Sequence, residues 1–337
     1  MSQADANDVL ISKRNSLIIR GGAILLMLVH HLFYSPASRE LYDDVIVSGV
    51  GLVNQLGIFS KVCVAIFVFL SGYGLVVSTP KDISLKKFYL HRFKKLYLNY
   101  WYIWLLFVPV SVFVFGRTFA DAYGDHIAVK SVLDFFGLLK MFGVNGYNPT
   151  WWFYSCIIVL YLLFPLLNKW LWRVPFFVIC VSLTCGLLSR IPGINVIAGY
   201  LIVFVTGMLM ARMPLSWLKE TKIWQLLLVL VLLSTWRFAK STFVPVADTF
   251  ISAGFAILVY KLPLWHWLSR IFEELGKHSM NMFLTHTLIY YYWFKDYIYI
   301  TRNPILIFLS LTISCYLLSV LIEWTKQKVG FYKLLRS

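Results

Sequence analysis

Apolar residues along this chain fall into long unbroken runs rather than into stripes or alternations, and polar residues collect in short connectors between them. Runs of roughly 17–25 apolar residues match what a helix needs to cross a hydrocarbon core about 30 Å thick. Ten such spans are predicted, at about 16–34, 55–78, 97–116, 151–168, 174–190, 196–212, 222–237, 246–262, 279–298 and 304–324. The ~10-residue alternating segments of a membrane barrel are absent from the pattern. The expected fold is therefore an all-α integral membrane protein, one bundle of about ten transmembrane helices around a central cavity. Residues 1–15 form a polar N-terminal segment, 16–325 the membrane domain and 326–337 a basic C-terminal segment. Pro192 and Gly193 predict a tight turn between the fifth and sixth spans. In the longest connector, an amphipathic piece from Val132 to Phe142 is expected at the membrane surface.

Composition agrees. The chain is 60% hydrophobic and only 14% charged, where a soluble domain carries about 25% charged residues; mean hydropathy is +0.74. A net charge of +16 would suit a nucleic-acid binder if it were gathered on a soluble face. Here Lys and Arg sit in the connectors, where they fix topology and meet anionic headgroups, so membrane lipid and not nucleic acid is the expected partner. The outer side receives Arg39, Lys61, Arg117, Lys130, Lys140, Arg190, Arg237, Lys240, Lys295 and Arg302. About twice as many fall on the other side, among them Lys13, Arg14, Lys81, Lys86, Lys87, Arg92, Lys94, Lys95, Lys219, Lys326 and Arg336. That asymmetry places both termini in the cytoplasm. The five cysteines lie inside apolar runs with no metal-ligand spacing, and no metal is expected. Aromatics near span ends, including Trp151 and Tyr290, read as interfacial belts.

Candidate chemistry begins in the first span. Eleven helical steps of 100° bring His31 within about 20° of the face that holds Arg20, roughly 16 Å further along the axis, while His30 points about 80° away. An Arg inside a span is costly unless it meets a partner or a wet cavity. Imidazole titrates near neutrality and suits general-base work.

Further segments follow in order. They are Arg20-Gly-Gly-Ala-Ile-Leu-Leu-Met-Leu-Val-His-His31, Val64-Ala-Ile-Phe-Val-Phe-Leu-Ser-Gly-Tyr73 and Phe88-Tyr-Leu-His-Arg-Phe-Lys-Lys-Leu-Tyr97. Trp152-Phe-Tyr154 precedes Tyr161 and Pro165, and Val203-Phe-Val-Thr-Gly-Met-Leu-Met-Ala211 and Gly276-Lys-His-Ser-Met-Asn-Met-Phe-Leu-Thr-His286 complete the set. Together they resemble the signature elements of the acyltransferase-3 family over nearly the whole chain. Two departures stand out. The family's Arg-x-x-Arg, soon followed by Pro, is here Arg92-Phe-Lys-Lys95 with Leu98, and the Tyr expected before the late Leu-x-His is Phe283. Lys supplies charge without a bidentate fork, so phosphate would be gripped differently.

The resemblance implies an O-acyltransferase that moves an acetyl or similar short acyl group from acetyl-coenzyme A to a hydroxyl of a cell-surface or exported polysaccharide. It implies His31 and Arg20 as catalytic residues, with Arg92, Lys94 and Lys95 holding the coenzyme's phosphates. Ser71, Trp152 and Ser279 are candidate oxyanion donors; His286, seven residues after Ser279, shares its helix face. Lys61 and Arg237 are candidate cavity cations. The competing expectations are a transporter or flippase of a lipid-linked glycan and a membrane glycan polymerase. Inverted repeats or a long acid-bearing outer loop would favour these, and the sequence offers neither. The oligomeric state has no sequence signature.

Overall fold

A computed structural model describes residues 10–80, 82–189, 196–214, 216–239, 244–262 and 264–336. The expectations placed on the first nine residues, on Lys81, on Arg190, Pro192 and Gly193, and on Lys240 lie outside the described residues, as do the side chains of Lys219 and Arg336.

The chain runs through α1 (Lys13–Phe33), a two-residue antiparallel pair β1 (Ile46–Val47) and β2 (Val50–Gly51), α2 (Leu52–Phe59), α3 (Val62–Ser78) and α4 (Leu85–Phe113). The connector then forms α5 (Phe119–Tyr123) and α6 (Ile127–Phe135) before α7 (Trp152–Leu171), α8 (Pro175–Leu188) and α9 (Leu201–Met210). The rest is α10 (Ser216–Glu220), α11 (Ile223–Ala239), α12 (Val244–Lys261), α13 (His266–Thr287), α14 (Lys295–Tyr299), α15 (Pro304–Lys328) and α16 (Phe331–Arg336). Between α13 and α14 one π-helical turn spans Leu288–Trp293.

Among the described residues, six stretches are long and apolar enough to cross a membrane: Lys13–Phe33, Leu52–Ser78, Leu85–Phe113, Pro149–Leu171, Val244–Lys261 and Pro304–Lys328. Three shorter apolar helices, Pro175–Leu188, Ile197–Met210 and Ile223–Phe238, fall on the fifth, sixth and seventh predicted spans. The ninth falls on α13, whose first half is too polar to qualify by composition, and on the π turn. The protein is an all-α, multi-pass membrane protein. Large side chains such as Phe113 on α4, Phe176 on α8, Val231 on α11 and Leu317 on α15 are exposed, as lipid-facing residues should be.

The helices sort into two units. The first comprises Met1–Leu26, Phe59–Asp82 and Leu160–Lys277. Here α3 packs on α9, and α12 lies against α3, α9 and α11. The α3–α9 crossing is backbone-close: a Cβ on Gly72 would stand 2.2 Å from the Phe204 carbonyl oxygen, and one on Gly207 2.2 Å from that of Phe69. Small residues at such crossings bring membrane helices together in the absence of a hydrophobic drive between them. Gly21 of α1 and Gly276 of α13 do the same, each 2.0 Å from a carbonyl oxygen of the other helix (Phe272 and Leu17) if given a Cβ. Arg237 differs from expectation. Instead of facing a cavity it is buried, its Nε 2.5 Å from Oδ1 of buried Asp248, so α11 and α12 are joined by an ion pair. An unpaired guanidinium there would be costly, and the carboxylate one helix away offsets its desolvation. Lys61 is exposed at a break between α2 and α3, with Ser60 beside it.

The second unit comprises Met27–Ile58, Ile83–Val159 and His278–Ser337. Its loops are tied by their acids. Asp43 pairs with Arg302, Asp44 accepts from the N–H groups of Val53 and Asn54 at the start of α2, Asp121 closes a capping box with Thr118, and Asp125 pairs with Lys130. The amphipathic connector piece is divided at Gly137, whose φ of +66° only glycine adopts freely. Its Asp134 is buried and accepts from the Tyr123 hydroxyl at 2.7 Å and the Tyr147 N–H at 2.8 Å. Burial pushes this carboxyl up to about 6, against the opposing pull of those two donors. At the other end of the unit α15 continues through Lys328, so the expected basic tail begins inside a helix. Lys326 is buried, and its Nζ donates to Asn99 Oδ1 at 3.1 Å, Asn281 Oδ1 at 2.9 Å and Glu323 Oε1 at 3.0 Å.

Candidate active site

α1 is one unbroken helix, so Arg20 and His31 keep the eleven-residue separation that puts them near one face. Arg20 is exposed, although Ile18, Ile19, Gly21, Ala23 and Ile24 around it are buried. Within its own unit it lies in electrostatic reach of Tyr161 on α7.

The two adjacent histidines are placed differently. His30 is buried, and its Nδ1 lies 2.8 Å from the Gly57 carbonyl oxygen, so that nitrogen donates to α2. That carbonyl is within reach because Gly57 has no side chain; a Cβ there would stand 2.7 Å from the Phe33 backbone. His31 is half-buried, with its ring centroid 4.8 Å from that of His286 and 6.4 Å from Tyr290. Two residues 255 positions apart in sequence thus form an imidazole pair within one unit.

His286 is fully buried near the end of α13. Its Nδ1 is 2.7 Å from the Phe283 carbonyl oxygen and its Nε2 is 3.1 Å from Thr287 Oγ1. Thr287 Oγ1 lies 3.1 Å from Thr150 Oγ1, whose hydroxyl donates to Asn148 Oδ1 at 2.8 Å. Asn148 caps the turn that opens α7, accepting also from the Thr150 N–H. The Trp151 indole donates to the Leu284 carbonyl oxygen at 3.0 Å, fastening α7 to α13. Trp151 is therefore a buried structural residue and not part of an interfacial belt. Tyr290 is also buried, its ring nearly parallel to that of His286 at 6.1 Å. It owes this place to the π turn, whose wider winding alters the facing of residues after Thr287.

The other predicted residues are dispersed. Ser279 is buried two turns before His286 on α13, and Trp152 is half-buried at the start of α7. Ser71, in the first unit, donates its hydroxyl to the Phe67 carbonyl oxygen at 2.9 Å, a bond internal to α3. Arg92 and Lys94 are half-buried and Lys95 exposed on the first turns of α4, with the Arg92 guanidinium 5.9 Å from the Phe88 ring. Sequence reasoning missed Thr150, Thr287 and Asn148. Their only signal was polarity within or beside apolar runs, and small polar residues there more often serve packing.

The profile of the acyltransferase-3 family, described as an acyltransferase domain, matches residues 17–324. The chain belongs to the acyltransferase-3 family. No curated protein and no solved structure matches it. This membrane acyltransferase carries the Arg20–His31 helix, the imidazole pair and the basic start of α4 within the matched region.

Proposed function

We propose that this acyltransferase moves an acetyl or other short acyl group from acyl-coenzyme A in the cytoplasm to a hydroxyl of a cell-surface or exported polysaccharide, and that it works in the inner (cytoplasmic) membrane with both termini inside. The observation that supports it most directly is the half-buried His31 ring against buried His286, beside a His30 already bonded to backbone. Acyl transfer from a thioester to an alcohol needs a base for the hydroxyl, and a partly open imidazole suits that work. In this reading His31 takes the hydroxyl proton, the oxygen attacks the thioester carbonyl, the C–S bond breaks and the thiolate leaves to recover a proton. An alternative course has His31 carry the acyl group briefly. Arg92, Lys94 and Lys95 hold the coenzyme's phosphates from the cytoplasmic side. Trp152 and Ser279 stand as candidate oxyanion donors, and Arg20 as the charged group toward the inner end of α1.

The test is transfer of labelled acetyl from acetyl-coenzyme A to surface polysaccharide by membranes carrying the protein. His31→Ala should abolish transfer with the protein still inserted, whereas His30→Ala should lower it far less. Stabilisation of the purified protein by acetyl-coenzyme A separates this reading from a glycan flippase, which would bind no acyl donor. Equal loss in both histidine variants, or no stabilisation, would overturn it.

A further inference from the structure

Arg117 opens the connector after α4, and its backbone is fixed on both sides. Its N–H donates to the Ser111 carbonyl oxygen at 3.0 Å, and its own carbonyl accepts from the Tyr147 hydroxyl at 2.6 Å. The guanidinium carbon lies 4.3 Å from the centre of the Tyr147 ring and 3.5 Å from that of Tyr292. Aromatic faces thus hold the planar cation, a contact that suits Arg better than Lys. Its Nη1 is nevertheless buried without a hydrogen-bond partner. Asp121 and Asp134 are near enough to act on the charge electrostatically, but both are engaged elsewhere. Asp121 closes the capping box with Thr118, and Asp134 accepts from the Tyr123 hydroxyl and the Tyr147 N–H. A buried donor without an acceptor is rare in folded proteins, and leaving one unmade is costly. A guanidinium pinned by its backbone and by two rings, with a donor to spare, is preorganised for a carboxylate.

Tyr292 is the last of three consecutive tyrosines in the π turn. Buried Tyr290 has its ring 6.4 Å from that of His31, exposed Tyr291 follows at 6.1 Å from Tyr290, and Tyr292 stands 4.8 Å from Tyr291. A single turn of chain therefore leads from His31 to Arg117, a gap that a few sugar residues would span. We infer that Arg117 is a residue of acceptor recognition and that the acceptor is an acidic glycan. A uronic-acid carboxylate meets the guanidinium while a hydroxyl of a nearby sugar reaches His31. The inference rests on the acyl transfer proposed above and adds the chemical class of its acceptor. The exposed Tyr291 ring offers an apolar face with a polar tip to the sugar between the two points, which favours a glycan over a lipid headgroup as carrier of the anion.

The test uses the full-length protein in membrane vesicles with labelled acetyl-coenzyme A. The acceptor is surface polysaccharide purified from cells lacking the protein, offered as isolated and after chemical reduction of its carboxylates to primary alcohols. For the parent, reduction should raise KM for the glycan at least about tenfold, the loss expected for a hydrogen bond to a charged group. Arg117→Gln should raise KM for the untreated glycan by a similar factor, with kcat and KM for acetyl-coenzyme A within about twofold. The variant should also respond equally to both forms of the glycan, a result that a merely structural role would not give. Melting temperatures of parent and variant confirm folding, and the comparison of the two glycans on the parent needs no variant at all. An isolated glycan without carboxylates, a parent indifferent to their reduction, or a variant that keeps the preference would overturn the acidic acceptor and leave acyl transfer standing. An effect of Arg117→Gln that vanishes in vesicles of zwitterionic lipid alone would assign the guanidinium to a lipid headgroup and overturn it too. If the parent transfers acetyl to neither form, the underlying acyl-transfer reading fails.

Discussion

His30 and His31 are neighbours in sequence and identical in chemistry, yet the two rings end in different surroundings. The 100° step of the helix was enough to assign them to different faces from sequence. It could not reveal that Gly57 offers its carbonyl to one or that His286 meets the other. Thr150 and Thr287 were illegible for a related reason: two hydroxyls 137 positions apart carry no signal until the chain brings them to 3.1 Å. Asp134 belongs to this scale as well. It was one polar residue in an amphipathic stretch, and only burial makes it unusual. Its folded value of about 6 stands above the ~3.9 of an unfolded aspartate. The folded state therefore binds the proton more tightly, and the associated stability is complete below about pH 4 and lost as pH rises through about 6. The protein in detergent should melt a few degrees higher at pH 5 than at pH 7.5, a difference of about 1.5 kcal/mol. Asp134→Asn should remove most of that difference, measured by thermal scans at both values.

At the scale of elements, the apolar runs fall on the six membrane-length stretches among the described residues, because lipid demands continuous hydrophobicity and internal backbone bonding, but they miss the polar first half of α13. Breaks within the runs were less visible. The Ser60–Lys61 interruption divides a single predicted span into α2 and α3, and the π turn at Leu288–Trp293 lies in a run that reads as plain helix. Neither break carries proline, the usual written sign. How closely helices approach was also hidden, because a glycine in a span looks alike whether it faces lipid or backbone. Gly207→Val should push α9 from α3 and cost roughly 1–3 kcal/mol through overpacking. Gly74→Ala on α3, where a Cβ meets nothing within 4 Å, should be nearly neutral. Paired melting curves in one detergent would compare them; equal destabilisation would refute the close-packed crossing.

Taken whole, the molecule follows the logic of charge in connectors, and its orientation is the property most open to direct measurement. With both termini inside, Ala37→Cys, exposed after α1, should react with a membrane-impermeant maleimide on intact cells. Lys86→Cys, exposed at the start of α4, should react only after permeabilisation. The reverse result would invert the proposed route of the acyl group. Charge read as topology misled at one point, since Lys326 counted as a tail cation and is instead a buried one. That placement sets a lower limit on how far the protein can be shortened. Trimming after Thr325 would spare every apolar span and the whole matched region. It would also strip the ammonium from between Asn99, Asn281 and Glu323, together with the Tyr332 hydroxyl that donates to the same carboxylate. The part-exposed Glu323 would keep the Asn281 amide but lose its ammonium partner, and Asn99 and Asn281 would lose the donor to their side-chain oxygens. The smallest stable version of this enzyme should therefore run past its hydrophobic outline, because the last turn of α15 carries an internal counter-ion.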